Sequence, residues 1–277
     1  MNQLPSDDHS KSSASESVPS TPVPGPQPAP NVVAELTEFL DSDPTRLGEV
    51  YRGGVAGLDA RGIADSLGVS TSSFVWNYQQ IVAALLTGAL PSSPSMALTA
   101  DRKFRKLLSQ TWSTDTTHFL ERMQKQLERV ADDEAARVEE DEAARIATVA
   151  VENEDPSGIY VYSLPHYIRY PWDPDSGRTL LKVGHSRRDA IERFRQQTRT
   201  TALPEEPVLL RVYSTTSQDS EKTERNFHSL LDAADHSRSA TRAAGKEWFL
   251  TTLRFLDEIA RILELGMREV NSGAESV

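Results

Sequence analysis

The rhythm of apolar and polar positions changes twice along the chain. Up to Pro30 there is almost no large apolar residue, and Ser and Pro dominate. Such a stretch buries too little surface to offset the entropy of ordering it, so residues 1–30 are expected to be a disordered tail. From Asn31 the apolar residues recur at helical spacing. Val32, Val33, Leu36 and Leu40 share one face of a first helix, which Asp41 to Pro44 ends, and a short helix follows over Thr45 to Tyr51. The run from Asp59 to Ser70 then has the spacing of a helix-turn-helix. Ile63, Ala64 and Leu67 form the apolar face of its first helix. Gly68 supplies the turn, Val69 plugs the corner and Ser70 caps the next helix, which Phe74, Ile81, Val82 and Leu85 continue. Any helical hairpin with a glycine turn shares this spacing. In a DNA reader, the start of the second helix (Ser70, Thr71, Ser72 and Ser73) would face the major groove.

Residues 31–90 thus read as an all-α, helix-turn-helix-like region, and 91–155 as a helical connector. Leu90 to Ser95 is a Pro/Ser-rich break, and Thr99 to Gln110 a helix with a basic cluster at Arg102, Lys103, Arg105 and Lys106. One long helix is expected from Asp115 to Ala150. Phe119, Met123, Leu127 and Val130 give its first half an apolar stripe, suited to packing on another element or on a second copy in a homodimer. Its second half fades into Ala, Glu, Asp and Arg, the pattern of a solvated spacer or a coiled coil. Asn153 to Ser157 marks a boundary.

Beyond that boundary the rhythm shortens. Ile159–Leu164, Thr179–Val183 and Pro207–Tyr213 read as strands, rich in Ile, Val, Leu and Tyr. Asp189–Thr198, Gln218–Ala233 and Glu247–Leu265 read as helices. The connection from Pro165 to Gly177 carries Tyr167, Tyr170 and Trp172, suited to packing the loop or to stacking on bases. The fold class is α+β: a small three-stranded sheet flanked by helices over 156–266, then a disordered tail over 267–277.

Composition narrows the function. There is no cysteine, which excludes disulfides, thiol catalysis and cysteine-bound zinc. Any metal must be held by carboxylates, His or water, which suits a hard divalent cation. No apolar run reaches the ~18 residues of a membrane span, and the first residues lack the pattern of a signal peptide, so a cytoplasmic location and no membrane partner are expected. The net charge of −11 argues against nucleic acid until its distribution is considered. Asp101 to Asp155 holds fourteen acids and nine bases, whereas Pro156 to Val277 holds seventeen of each. Between Arg178 and Arg199, seven bases face two acids, and it is the local field that governs phosphate binding. Tyr160 opens the first strand of this region, Lys182 and His185 end the second, and Arg193 follows one helical turn later.

These residues resemble the GIY-YIG nucleases. Gly158-Ile159-Tyr160 is that family's first signature, and Lys182-Val183-Gly184 stands where its second, Tyr-Ile-Gly, would be. The Lys is similar to the one in a restriction-enzyme branch, which also carries counterparts of His185 and Arg193, and in the branch similar to the phage T5-type DNA-binding domain. Gly245-Lys246-Glu247-Trp248-Phe249 looks like the end motif of that second branch. The hairpin between the signatures is longer than usual, and no Asn after the metal Glu has a clear counterpart. The resemblance implies an enzyme: a metal-dependent DNA endonuclease, with DNA as partner and Mg²⁺ or Mn²⁺ as cofactor. It implies Tyr160 as general base with Lys182 favouring its phenolate, Arg193 on the phosphate, His185 positioning water or carrying a proton, and Glu224 as metal ligand. Tyr162 shares a face with Tyr160 and competes for its role. His228 lies one turn after Glu224, and Glu247 reads as a helix cap. Arg187, Arg188, Arg195 and Arg199 would meet DNA. Most also have a structural reading: core or edge aromatic for Tyr160, surface charge for Lys182, Arg193 and Glu224, and a core histidine or a group supporting the site for His228. The alternative function is a DNA-binding or regulatory protein that uses the same fold without cutting.

Overall fold

The structure, a computed structural model, describes residues 23–69, 72–173, 176–185, 205–215, 220–236 and 247–273. Helices α1 (Pro30–Ser42), α2 (Arg46–Val55), α3 (Ala60–Ser66), α4 (Ser73–Thr87), α5 (Pro94–Leu108) and α6 (Thr114–Ala131) gather around one apolar core. Leu36, Leu40, Ile63, Leu85, Phe104 and Phe119 are fully buried there, because each sits on the apolar stripe of its helix. Asp59 caps α3, accepting from the Gly62 amide at 2.7 Å. The turn after α3 uses Gly68 at φ 62°, and the Val69 amide donates back to Ala64 at 3.0 Å. Two short strands, β1 (Val23–Pro24) and β2 (Ala89–Leu90), pair antiparallel beside these helices.

The long helix expected from Asp115 to Ala150 is two helices. After α6 the chain breaks at Asp132 and Asp133, and α7 (Glu134–Glu154) begins afresh. The Asp133 carboxylate caps it, accepting from the Ala136 amide at 3.1 Å. An acidic run hides such a break, since an N-cap Asp resembles its acidic neighbours. α5 likewise starts earlier than the spacing suggested, at Pro94 inside the Pro/Ser-rich stretch, with Ser93 as its cap.

The rest of the chain follows as β3 (Gly158–Ser163), α8 (Pro165–Arg169), β4 (Thr179–His185), β5 (Val208–Ser214), α9 (Ser220–Ala233), β6 (Trp248–Thr251), α10 (Leu253–Ile262) and β7 (Gly266–Glu269). Among the described residues the sheet has five strands, where three were expected, in the order β6-β4-β3-β5-β7, with every neighbouring pair antiparallel. Both additional strands lie at its edges. Trp248 to Thr251, expected to open a helix, pairs with β4 instead, and the helix starts only at Leu253, capped by Thr252. Residues Gly266 to Glu269, most of which were expected to belong to a tail, pair with β5. A short helix, α8, also interrupts the expected connection after β3. The expected helix over Asp189 to Thr198 lies outside the described residues.

Central strand β3 is buried along its whole length, because both faces of the sheet are covered. Ile159 and Val161 point into a core with Leu181, Val183, Phe227 and Phe249, beneath α9 and α10. Tyr160 and Tyr162 point the other way, to a smaller cluster with Leu209, Val212 and Val151 of α7. A Cβ on Gly158 would stand 2.3 Å from the Tyr213 carbonyl oxygen of β5, so only glycine permits the close approach of the two strands there. Among the described residues, no helix is long and apolar enough to cross a membrane.

Candidate active site

The site follows from where β6 stops. β6 pairs with β4 from Thr179 to Lys182, and the Val183 amide still donates to the Glu247 carbonyl at 2.9 Å. Past that point no strand lies beside the outer edge of β4 among the described residues, and α9 supplies side chains there. His228 donates through Nε2 to the Val183 carbonyl at 3.0 Å. That places its proton on Nε2. Glu224, one helical turn earlier, has its Oε1 3.9 Å from the same nitrogen. Its other oxygen accepts from His185 Nδ1. On the near side, Lys182 Nζ lies 3.3 Å from Glu247 Oε2. Four of these side chains are largely sheltered (Lys182 16%, His185 21%, Glu224 14% and His228 17% exposed), whereas Glu247 at 48% faces solvent. Burial holds the Lys182 ammonium below the ordinary lysine pKa, against the pull of the Glu247 and Glu224 carboxylates.

Gly184 is the floor of this cluster. A Cβ there would lie 3.9 Å from both Glu224 Oε1 and Glu247 Oε2. Two carboxylate oxygens therefore flank a strip of bare backbone, with an ammonium beside it. Among the described residues, no three His, Asp or Glu side chains gather as a metal-binding set. That disfavours an all-protein cage of the zinc kind. It still fits Mg²⁺ or Mn²⁺, which take one or two carboxylates and fill the remaining positions with water and phosphate.

Tyr160 is the register partner of Gly184, and Tyr162 of Lys182. Directly opposed residues of an antiparallel pair share a face, so both phenols lie on the side of Lys182 and the glycine floor. Their rings stack with centroids 6.3 Å apart. Both are nearly inaccessible, at 3% and 5% exposure. The Tyr160 hydroxyl donates to the Pro156 carbonyl, and the Tyr162 hydroxyl to Glu152 Oε1 at 3.0 Å. Burial, reinforced by the neighbouring Tyr160, pushes the Tyr162 phenol well above the ordinary tyrosine range. In this arrangement neither phenol faces open space.

The structure thus brings Lys182, His185, Glu224, His228 and Glu247 together and puts Tyr160 one strand away. Glu247 precedes an edge strand instead of capping a helix, and its visible contacts are with β4. Sequence reasoning missed this partner of Lys182; the β-prone run Trp248-Phe249-Leu250-Thr251 behind it was the available signal. Ser73 donates to Glu269 Oε2 of β7 at 2.7 Å, so the start of α4 touches the sheet edge. Ser72 immediately precedes α4 and is half-buried. Arg187, Arg188, Arg193, Arg195, Arg199, Ser70 and Thr71 lie outside the described residues. On the connection after β3, Tyr170 and Trp172 are exposed, Tyr170 with its ring centroid 5.3 Å from that of His166.

This edge site on an antiparallel sheet can be compared with known families. Residues 158–264 match the family model of the T5orf172 domain. This is a phage-like domain associated with nucleases of the homing-endonuclease and GIY-YIG-like kinds. No curated protein and no solved structure matches the chain. The T5orf172-like region starts at the first residue of β3 and ends just beyond α10, so it contains every residue of the edge cluster. Less than half of the chain falls within it, and the helices before β3 lie outside the match.

Proposed function

We propose that the T5orf172-like region is a metal-dependent DNA endonuclease that hydrolyses phosphodiester bonds over the floor at Gly184. The observation that carries this reading is the approach of Glu224 and Glu247 to that floor, with Lys182 paired to Glu247 and His185 to Glu224, one strand from Tyr160. Hydrolysis needs a proton acceptor for the attacking water and positive charge against the phosphate oxygens. Tyr160 is assigned the proton from water. An unperturbed tyrosine pKa near ~10 makes the phenol a poor base at neutral pH, and a nearby ammonium at Lys182 favours the phenolate. Glu247 keeps that ammonium in place. The hydrogen bond from His185 orients the Glu224 carboxylate, and His228 braces the strand end through the Val183 carbonyl. Arg193 is assigned charge stabilisation on the phosphate from its sequence position. Glu224 would hold Mg²⁺ or Mn²⁺. Bound there, the ion would supply Lewis-acid stabilisation of charge on the phosphate and the leaving oxygen.

Tyr160→Phe separates chemistry from binding. It removes only the hydroxyl and is expected to abolish divalent-dependent cleavage while leaving DNA retardation in a gel intact. Undiminished cleavage by this variant would refute the assignment of the base. A second reading, a DNA-binding protein that does not cut, draws on the burial of Tyr160 and the hydrogen bond that occupies its hydroxyl. It prevails if the wild-type protein retards varied DNA substrates but leaves them intact in Mg²⁺ and Mn²⁺.

A further inference from the structure

Helix α7 lies across the face of the sheet that carries the two tyrosines, yet little of it is buried. Thr148 and Val151 are its only buried residues, and Val138 and Ile146 are exposed. Polar contacts hold it to the sheet instead. Thr148 Oγ1 accepts from the Leu209 amide at 3.1 Å and from Asn271 Nδ2 at 3.2 Å. Glu154 pairs with Arg268 of β7, with one contact at 3.1 Å. At its other end, Glu140 of α7 accepts from Ser95 of α5 at 2.8 Å. The helix therefore bridges the N-terminal core and the sheet.

The last turn of α7 and the residues after it meet the tyrosines directly. Glu152 accepts from the Tyr162 hydroxyl, and the Pro156 carbonyl from the Tyr160 hydroxyl. Both acceptors have only lone pairs to offer. They favour the protonated phenol and would repel a phenolate. A phenol held in this way cannot take a proton from water, and at 3% exposure it cannot meet a phosphodiester. The helix ends on Asp155 in the left-handed region at φ 49°, followed by Pro156, so the chain turns sharply between the helix and β3.

We propose that the segment from Glu152 to Pro156 is a latch over the active site. Closed, it covers Tyr160 and Tyr162 and engages both hydroxyls as donors; open, it has swung off the sheet and exposes Tyr160 beside Lys182 and Gly184. This rests on the nuclease reading above and adds its regulation. The contacts that must break include Glu152 with Tyr162, Glu154 with Arg268, the Pro156 carbonyl with Tyr160, and the packing of Val151.

The chain has no cysteine, so a pair introduced by Glu154→Cys and Arg268→Cys is uniquely addressable. A short bis-methanethiosulfonate would bridge the two positions and tie the latch down, and dithiothreitol would release it. Two readouts are taken on each form. One is nitration of Tyr160 and Tyr162 by tetranitromethane, mapped by mass spectrometry; the other is nicking of supercoiled plasmid in Mg²⁺. The bridge is expected to suppress both by at least tenfold; reductant, followed by capping of the freed thiols with iodoacetamide and removal of excess reagents before nitration, is expected to restore them. Glu152→Gln, a milder change in the uncrosslinked chain, is expected to raise nitration several-fold. The latch is overturned if the bridged protein is nitrated at these tyrosines, or nicks plasmid, as readily as the released form. If no form nicks DNA while nitration still follows the bridge, the latch stands and the nuclease reading falls.

Discussion

Gly158 and Gly184 stand on neighbouring strands of one sheet, and the same substitution is expected to have opposite effects on them. In Gly158→Ala the new methyl carbon would lie 2.3 Å from the Tyr213 carbonyl oxygen, 3.0 Å from its carbon and 3.3 Å from Ser214 Cα. All three are backbone atoms of β5, so no side chain can rotate away. Relief requires β3 and β5 to part by about 1 Å at this end, against overpacking costs of about 1–3 kcal/mol. The Thr215 amide, which donates to Ser157 at 3.2 Å, and the Gly158–Ser214 pairing would weaken with it. Each lost hydrogen bond costs about 0.5–1.5 kcal/mol. A total of about 2–4 kcal/mol corresponds to a Tm lower by roughly 5–15 °C for a chain of this size. In Gly184→Ala the nearest atoms, Glu224 Oε1 and Glu247 Oε2, are both at 3.9 Å, an ordinary contact. Reduced entropy of the unfolded chain should then leave stability unchanged or up to ~1 kcal/mol higher, while the methyl group fills the floor and cleavage falls. Differential scanning fluorimetry with circular dichroism reads the stability of both variants. A Gly158→Ala protein that melts with the wild type, or a Gly184→Ala protein that loses as much stability, would refute the strand spacing and the open floor.

Lys182→Met removes a sheltered cation whose partner, Glu247, can rehydrate; it is expected to stabilise the fold by ~1 kcal/mol while abolishing cleavage. The sign of the pH effect follows from the depressed Lys182 pKa. The folded protein sheds this proton before the unfolded chain does, so the lysine's penalty is full at low pH and is relieved as pH rises through its folded pKa towards ~10.4. The stability difference between Lys182→Met and wild type should therefore narrow on going alkaline, as urea titrations at several pH values would show; a constant difference would contradict it. Phe227→Ala empties a fully buried position stacked on Tyr213 at 5.4 Å between centroids. It should cost about 3–5 kcal/mol in the same titrations, and a loss below 1 kcal/mol would speak against the core under α9.

The elements visible in the sequence were those whose own pattern decides them. The hairpin of β3 and β4 declared itself through Ile, Val and Tyr, and α9 through Phe227 and Leu231. The edge strands did not. Trp248 to Thr251 and Gly266 to Glu269 span four residues each, too short for a period to show. Phe249 also falls at helical spacing from Leu253 and Leu256, so β6 merged with the helix behind it. The cluster of Lys182, His185 and Glu224 was readable because signature spacing fixed it; the partnership of Lys182 with Glu247 was not, because it depends on where β6 ends. The covering of Tyr160 was hidden for a different reason. α7 reaches the sheet through one buried valine and several polar groups, so its sequence has the look of a solvated spacer.

Nicking of supercoiled plasmid by wild type and Glu224→Ala, side by side in Mg²⁺ or Mn²⁺, bears most directly on the proposed activity. Time-dependent, metal-dependent nicking by the wild type and its loss in folded Glu224→Ala is the predicted result. Equal rates for the two proteins, or intact DNA with both, would contradict it.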